Sequence, residues 1–221
     1  MEELKKIKEL AKIPMTDDLI TKRVEIIMLK FKEEPQVIDR AISSIVNNTN
    51  WPFKLTVFDN RLNTANTSRA WNKLISESTC DYVLLIDSDC FVLKVEPCWL
   101  TRMMESVDDK GIVIPMVTST GSPSHRASKA RDYPSFDLNT SIWSGMCFLF
   151  KKSRYEELGE FDERFYLYGQ DSEWAFRAKQ KGVIMRRDVL IEHIGNYTMS
   201  KNENASLDKI YASQLYKHLT K

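Results

Sequence analysis

The sequence predicts an α/β protein with a largely parallel central sheet flanked by helices. Short apolar runs alternate with amphipathic stretches along the first half of the chain, in the order βαβαβαβ. Such alternation is typical of strands that lie parallel in one sheet, with helices on both faces. The chain of 221 residues is 43% hydrophobic, which is enough for one sizeable core and predicts a single folded domain.

The first strand, the first helix and the second strand follow one another directly. "RVEIIML" (Arg23–Leu29) is an apolar run of the length of a buried strand. "PQVIDRAISSIVNN" (Pro35–Asn48) has apolar residues at helical spacing and a proline in its first turn. "FKLTVFDN" (Phe53–Asn60) predicts the second strand.

Five further elements complete the pattern. "NTSRAWNKLISES" (Asn66–Ser78) predicts a helix with an Asn or Thr cap, and "YVLLID" (Tyr82–Asp87) predicts the third strand. "PCWLTRMMESV" (Pro97–Val107) predicts the third helix, and "GIVIPMVTS" (Gly111–Ser119) the fourth strand. A later apolar run, "GMCFLFKK" (Gly145–Lys152), predicts one more strand.

A long polar segment without periodicity separates the last two of these strands. Residues Ser119–Trp143 predict a mobile lid or a disordered loop, since loops of this length in compact domains are usually one or the other. Tyr133 and Trp143 of this segment could stack on the ring of a ligand. Trp143 could equally belong to the core.

The two ends of the chain are expected to lie outside the α/β domain, which we place at residues 21–200. Residues 1–20 predict an amphipathic helix, either packed on the domain or in peripheral contact with a membrane. Residues 201–221 predict a C-terminal helix. The N-terminus does not have the pattern of a signal peptide, and no apolar run approaches the ~20 residues of a membrane span. We therefore expect a cytoplasmic protein without a transmembrane segment.

Charge and cysteine content narrow the possible partners and compartments. Lys plus Arg number 32 and Asp plus Glu 31, so the net charge of +1 does not favour nucleic acid as a partner. A local basic patch is still compatible with that total. Cys80, Cys90, Cys98 and Cys147 lack metal-type C-x-x-C spacing. Buried free thiols in a reducing compartment are favoured over a disulfide framework.

Carboxylates follow two of the predicted strands. "DYVLLIDSDCF" (Asp81–Phe91) runs from an apolar strand straight into Asp87 and Asp89, and Asp59 ends the second strand. Ligands of parallel sheets bind at the carboxyl ends of the strands, so the three side chains are expected in one crevice. There they would form an oxygen-rich site for Mg²⁺ or Mn²⁺. The alternative is a turn in which Asp and Ser serve only as turn residues.

Together with a second motif, this strand end resembles the family 2 nucleotide-sugar glycosyltransferases of the GT-A fold. That family has a strand ending in D-x-D, then a loop, then a segment G-x-F-D-E-x-F-x-x-x-x-E-D-x-E-x-x-x-R-x-x-x-x-G. Here the segment is Gly159-Glu160-Phe161-Asp162-Glu163-Arg164-Phe165, then Gly169-Gln170-Asp171-Ser172-Glu173, then Arg177 and Gly182. The similarity extends over most of the chain and implies a single-domain GT-A fold.

The resemblance implies a nucleotide-binding role for five residues. Asp59 and Asn60 match the position after the second strand that holds the nucleoside. Arg69 and Asn72 match an R/N pair on the helix that follows, and Asp87 would also hold the nucleotide.

Metal binding and proton transfer are implied at two further places. Asp87 and Asp89 would hold the metal, with Asp89 in the most direct position. His193, in a partial match to an H-x-x-G element, would be either a third ligand or a structural histidine, and an imidazole ligand favours Mn²⁺ over Mg²⁺. Asp171 matches the catalytic base of inverting members. Alternatively, Asp171 is the N-cap of the helix that follows it.

Three positions depart from the family pattern. The first strand ends in Met28-Leu29-Lys30-Phe31-Lys32 where Pro-Thr-Tyr-Asn is usual, and Asn60-Arg61 replaces Gly-Ser. These two differences leave the nucleotide open. Gln170 replaces the Glu before the base, which leaves the acceptor contacts open.

The implied activity is metal-dependent transfer of a sugar, of hexosyltransferase type, from a nucleotide-diphosphate sugar to an acceptor hydroxyl. The expected donor is a UDP-sugar, and the acceptor is a glycan or another hydroxyl compound. The alternatives are a non-catalytic nucleotide- or sugar-binding scaffold, a nucleotidyltransferase, and a glycosyltransferase acting on modified DNA bases. A nucleotidyltransferase usually has a glycine-rich phosphate loop near its first strand, whereas this chain has no glycine before Gly111.

Overall fold

The structure is a computed structural model that describes residues 22–60, 66–120, 125–127, 135–137, 143–166 and 168–195. The predicted helices at 1–20 and 201–221, Tyr133 and most of the predicted lid lie outside these residues. Within the described ranges, no helix has both the length and the apolar character needed to cross a bilayer.

Strands and helices alternate as the sequence predicts, and the α/β fold class is confirmed. The strands are β1 (Val24–Lys30), β2 (Phe53–Asp59), β3 (Tyr82–Asp87), β4 (Cys90–Val92), β5 (Ile112–Val117), β6 (Ser135–Asp137), β7 (Cys147–Lys151) and β8 (Ile184–His193). The helices are α1 (Pro35–Asn48), α2 (Thr67–Glu77), α3 (Trp99–Lys110), α4 (Lys152–Leu158) and α5 (Gln170–Lys179).

All eight strands belong to one sheet. Its order is β2-β1-β3-β7-β5-β8-β4, and β6 pairs with β8 off this path. Most strands, namely β1, β2, β3, β5 and β8, run in one direction, whereas β4, β6 and β7 run against them. Because β7 lies antiparallel between β3 and β5, the chain enters β7 at the edge where those two strands end.

Three short elements were not predicted. β4 follows the D-x-D turn directly, α4 follows β7, and β6 lies inside the segment that was expected to be a lid without secondary structure. An isolated bridge between Val117 and Arg126 adds a second point of order in that segment. Elements of three to seven residues are too short for periodicity to distinguish them from loops.

The sheet separates two apolar layers, because side chains along a strand alternate between its faces. Ile26 and Met28 of β1 pack with residues of α1 and α3, whereas Ile27 packs with residues of α2, α4 and α5. Helices therefore cover both faces, as predicted. All four cysteines are buried and free, in agreement with the expectation from their spacing.

The second layer has an aromatic centre that includes Trp143. The ring of Phe148 lies 4.8 Å from that of Trp143 and 5.7 Å from that of Trp174, measured between centroids. Trp143 is only 1% exposed. Of the two roles left open for Trp143, the structure therefore favours the core role over sugar stacking.

His125 is fully buried and packs against β5. The Nε2 atom of His125 lies 2.6 Å from the carbonyl oxygen of Pro115, and the backbone N–H of Ser144 donates to Nδ1 at 3.4 Å. Burial lowers the pKa of His125 to about 4, although the Pro115 contact opposes that change. The imidazole is therefore neutral at physiological pH.

This burial predicts a pH dependence of stability. As the pH falls below about 6.5, the unfolded chain binds a proton on His125 before the folded protein does, so the free energy of unfolding should decrease down to about pH 4. The gap between the two pKa values limits this contribution to about 3 kcal/mol. Urea unfolding of the wild type and of His125→Asn between these pH values measures the contribution of His125. Carboxylates titrate in both proteins, so their effect cancels in the comparison. Equal pH slopes in the two proteins would contradict the prediction.

Candidate functional site

The carboxyl ends of three neighbouring strands bring the predicted acidic residues to one edge of the sheet. In the parallel register, Asp59 of β2 pairs with Lys30 of β1, and Asp87 of β3 pairs with the adjacent Leu29. Asp59 and Asp87 therefore flank the end of β1. Asp59 is exposed, whereas Asn60 after it is only 1% exposed and donates its backbone N–H to the Lys30 carbonyl at 3.0 Å.

Asp89 lies against His193, because β4 turns back along β8. Cys90 is opposite His193 in this antiparallel pair, and the backbone N–H of Ile194 donates to the carbonyl of Asp89 at 3.2 Å. The Nε2 atom of His193 lies 3.3 Å from Oδ1 of Asp89. Its Nδ1 atom lies 2.6 Å from the carbonyl oxygen of Ser119, so the imidazole bridges the D-x-D turn and the end of β5.

Burial and like charge dominate the electrostatics of this cluster. Burial raises the pKa of Asp87 well above its usual range, and the charge of Asp89 adds to the rise. Glu33 and Asp171 raise it further, whereas His193 lowers it. Burial alone would lower the pKa of His193, but its contact with Asp89 and the charges of Asp89 and Asp87 raise it to about 9. A cation is therefore favoured at this position.

The donor atoms present suit a hard or borderline divalent cation. Within the described residues, ligand atoms of Asp89, Cys90 and His193 lie within 4.8 Å of one another. Cys90 does not suit the role: its Sγ contacts the carbonyl of Met146 at 3.6 Å, and burial raises its pKa far above the usual range, so it stays a thiol. Carboxylate oxygens with one imidazole remain, a set that fits Mn²⁺ or Mg²⁺.

Asp171 lies in the first turn of α5 and not at its N-cap. The N-cap is Gly169, with φ of 90°, so the alternative that Asp171 caps this helix is wrong. The Oδ2 atom of Asp171 accepts a hydrogen bond from the backbone N–H of Gly145 at 2.7 Å, and Ser172 Oγ lies 3.4 Å from Oδ1. Burial raises the pKa of Asp171, although the Gly145 and Ser172 hydrogen bonds oppose that rise.

Gly145 is required where the chain approaches this carboxylate. A Cβ atom at Gly145 would lie 2.4 Å from Cβ and 3.1 Å from Oδ2 of Asp171. Only glycine allows its N–H to reach the carboxylate at this distance. The turn that leads into β7 is therefore in close contact with the first turn of α5.

The second sequence motif fixes the position of α5. Arg177 of α5 forms an ion pair with Glu173 at 2.6 Å, and its guanidinium donates to the backbone carbonyls of Leu158, Gly159 and Glu160. The indole N–H of Trp174 donates to Gly159 as well, at 3.1 Å. The glycine and arginine of the motif therefore join α5 to the end of α4.

Asn72 and Arg69 of α2 hold the acidic part of the same motif. The Asn72 amide accepts from the Tyr155 hydroxyl at 2.7 Å and from the Phe161 N–H at 2.9 Å, and it donates to the Phe161 carbonyl and to Glu163. Arg69 donates to Glu163 at 3.0 Å. The amide of Asn72 thus uses its full hydrogen-bonding capacity within the protein. Nucleotide contacts by Asn72 and Arg69 stay a prediction, and the observed role of both is to position this segment.

Two polar residues near the cluster were missed by sequence reasoning. Glu33, 7% exposed, accepts from the Phe31 N–H at 2.9 Å and raises the pKa of Asp87. Tyr168 is close enough to Asp171, Asp87 and Asp89 that, together with its burial, they raise its pKa to about 12. Glu33 follows the atypical end of the first strand, and Tyr168 occupies a variable position of the second motif, so neither matched a pattern.

An α/β sheet with carboxylates gathered at the strand ends, faced by a carboxylate on a helix, is the architecture of GT-A nucleotide-sugar transferases. The chain belongs to glycosyl transferase family 2, whose sequence pattern matches residues 49–190, more than half of the chain. No curated protein matches the chain significantly.

Solved structures share this fold at low sequence identity. The crystal structure of GalNAc-T7 with UDP, GalNAc and Mn²⁺ superposes with a TM-score of 0.60 at 13% identity, covering 77% of this chain and 43% of that protein. S. aureus TarS 1–349 in complex with UDP-GlcNAc gives 0.60 at 13% identity, covering 81% of this chain and 61% of the other. The chain therefore spans less than two thirds of either protein.

Replacing Gly145 tests the close approach to Asp171. In Gly145→Ala the added methyl group must displace Asp171 or the turn before β7, and misplacement by about 1 Å can cost about 10²-fold in turnover. Sugar transfer or donor hydrolysis should therefore fall by about that factor in a protein that still folds.

Gly182→Ala is the matched control. Gly182 has φ of 88° and lies before β8 begins, at the opposite edge of the sheet. The alanine should lower the melting temperature through backbone strain and leave turnover per folded molecule unchanged. Full activity in Gly145→Ala, or equal losses in both variants, would contradict a specific role for the close approach.

Proposed function

We propose that the chain transfers a sugar from a nucleotide-diphosphate sugar to an acceptor hydroxyl, with inversion, a divalent metal and Asp171 as the base. The observation that carries this proposal is the position of the partly buried Asp171 beside the cluster of Asp87, Asp89 and His193. A site with a cation position next to a carboxylate of raised pKa has the two groups that this reaction needs. A scaffold that only binds a nucleotide would have no need of the second carboxylate.

Asp89, His193 and Asp87 would hold the metal, with Mn²⁺ favoured over Mg²⁺ by the imidazole. When bound, the metal supplies positive charge that stabilises the departing diphosphate. The same residues also hold the site in place through contacts within the protein. His193 ties the turn of Asp89 to the end of β5, and the buried backbone around the turn keeps both carboxylates at the strand ends.

Asp171 accepts the proton of the acceptor hydroxyl as that oxygen attacks the anomeric carbon. Gly145 holds one carboxylate oxygen by a single hydrogen bond, and a carboxylate has further lone pairs that can take the proton. The raised pKa of Asp171 brings its proton affinity closer to that of an efficient general base near neutral pH. Positioning and charge stabilisation provide most of the remaining rate.

A UDP-sugar is the donor that we propose, because GalNAc-T7 and TarS were crystallised with UDP or UDP-GlcNAc. Asp59, Asn60 and Asp87 would contact the nucleotide. The acceptor is a glycan or another hydroxyl compound. Four free buried thiols agree with a reducing compartment, so we place the protein in the cytoplasm.

A donor screen tests the proposal as a whole. Thermal shift and hydrolysis are measured with UDP-, GDP- and dTDP-sugars, each with and without Mn²⁺. A bound donor at about 100 times its Kd should stabilise the fold by about 2.7 kcal/mol, since stabilisation follows RT ln(1 + [L]/Kd). Absence of both stabilisation and hydrolysis with every donor would count against the activity.

The base is tested by Asp171→Asn. The asparagine keeps an oxygen that can accept from Gly145, so the fold and the turn should survive. Proton acceptance is lost, which should reduce transfer by about 10²–10⁴-fold. Donor affinity should change only a few-fold, because the base faces the acceptor. Transfer rates and donor Kd are measured in parallel, and near-normal turnover would remove Asp171 from the catalytic role.

The metal position is tested by Asp89→Asn. Removing the charge of Asp89 should abolish the Mn²⁺-dependent part of donor binding, and the relief of its repulsion with Asp87 should offset part of the stability lost with the His193 pair. Isothermal titration with the donor, with and without Mn²⁺, measures the effect. Glu192→Gln is the control, since Glu192 precedes His193 on β8 and pairs with Arg40 at 3.2 Å on the other face. Unchanged metal-dependent binding in Asp89→Asn would overturn the assignment.

A further inference from the structure

His125 connects the end of β5 to the turn that holds Asp171. Its imidazole contacts the Pro115 carbonyl on one side and the Ser144 N–H on the other, and the next N–H, that of Gly145, donates to Asp171. From these contacts we propose that His125 is a positioning residue for Asp171, acting through the peptide between Ser144 and Gly145. The inference rests on the proposed function only in taking Asp171 as the base.

The surroundings of His125 allow one tautomer. A carbonyl oxygen can only accept, so the 2.6 Å contact with Pro115 places the proton on Nε2. Nδ1 is then an acceptor, which is what the Ser144 N–H requires. His125 is 0% exposed, so water cannot replace either contact. A side chain that lacks an acceptor at this point would leave the Ser144 N–H buried without a partner.

A break in the sheet provides the acceptor for His125. The register between β5 and β8 shifts between Pro115 and Met116, and this irregularity interrupts the ladder at this point. The Pro115 carbonyl at this irregularity accepts from His125. The imidazole is thereby held against β5, inside the sheet.

Ser144 is held from a second side, which limits where Gly145 can lie. The Ser144 hydroxyl lies 2.7 Å from that of Thr120, three residues after the end of β5. Because a Cβ at Gly145 would already clash with Asp171, this turn has little freedom to approach α5 more closely. Loss of the His125 contact should let the turn move away and lengthen the hydrogen bond from Gly145 to Asp171.

The first arm of the test is spectroscopic and does not depend on activity. Serine precedes glycine only once in the sequence, at Ser144-Gly145, so labelling with ¹³C′-serine and ¹⁵N-glycine selects the Gly145 amide. In His125→Leu its proton resonance should move upfield as the hydrogen bond lengthens. His125→Asn carries a side-chain oxygen near the position of Nδ1, and it should restore the resonance towards the wild-type position. An unmoved Gly145 resonance in folded His125→Leu would overturn the proposal.

Thr49→Val controls for a general loss of stability. Thr49 accepts a partly buried hydrogen bond from the Trp99 indole at 2.9 Å, on the α1 and α3 side of the sheet. This variant should lower the melting temperature without moving the Gly145 resonance or changing turnover. A shift of the same size in Thr49→Val would assign the effect to loosened packing and overturn the specific role of His125.

The second arm measures turnover of UDP-GlcNAc with Mn²⁺. His125→Leu should lower kcat by about 10- to 10²-fold with KM for the donor changed only a few-fold, because the base moves and the donor site does not. His125→Asn should recover part of the loss. A shifted Gly145 resonance with unchanged kcat, in a protein that Asp171→Asn inactivates, would overturn the positioning role. An active Asp171→Asn would instead show that the proposed base is wrong.

Discussion

The cost of burying like charges governs the edge of the sheet where the site lies. Asp89 is buried, Asp87 and Asp171 are partly buried, and the charges of Asp89 and Asp171 raise the pKa of Asp87. Groups of this kind are tolerated in a fold only when hydrogen bonds or opposite charge compensate them. Here His193 supplies charge to Asp89, and the Gly145 N–H supplies a hydrogen bond to Asp171. The elements that carry these partners must therefore end at this edge.

Much of the second motif secures that arrangement from a distance. Arg177 and Trp174 fix the inner face of α5 to the turn at Gly159, and Asn72 fixes the following residues to α2. Each of these contacts satisfies backbone groups in a turn that would otherwise be buried without partners. Most residues of this motif therefore serve to anchor one helix.

The sequence was sufficient for the main strands, for the helices between them and for the acidic strand ends, because each depends on local periodicity and on one rule about parallel sheets. Contacts between segments that are far apart in the sequence could not be predicted from it. The N-cap alternative for Asp171 failed because Gly169 takes that position, and nothing in the sequence indicated that Gly145 would meet Asp171. Glu33 was not predicted because its proximity to Asp87 results from the path of the chain after β1 and not from a sequence pattern.

The hydrogen bond between Thr120 and Ser144 has a consequence for how this enzyme family can diversify. It joins the two ends of the segment that runs from β5 to β7, so these ends are held at one point, while His125 and β6 within the segment pack on the domain. For a loop closed in this way, doubling its length costs only about 0.6 kcal/mol in closure entropy. Insertions in this segment that leave His125, β6 and Trp143 in place can therefore accumulate without altering the anchor of Asp171. Changes in the length of this segment are separated from the position of Asp171 by the paired hydroxyl groups of Thr120 and Ser144.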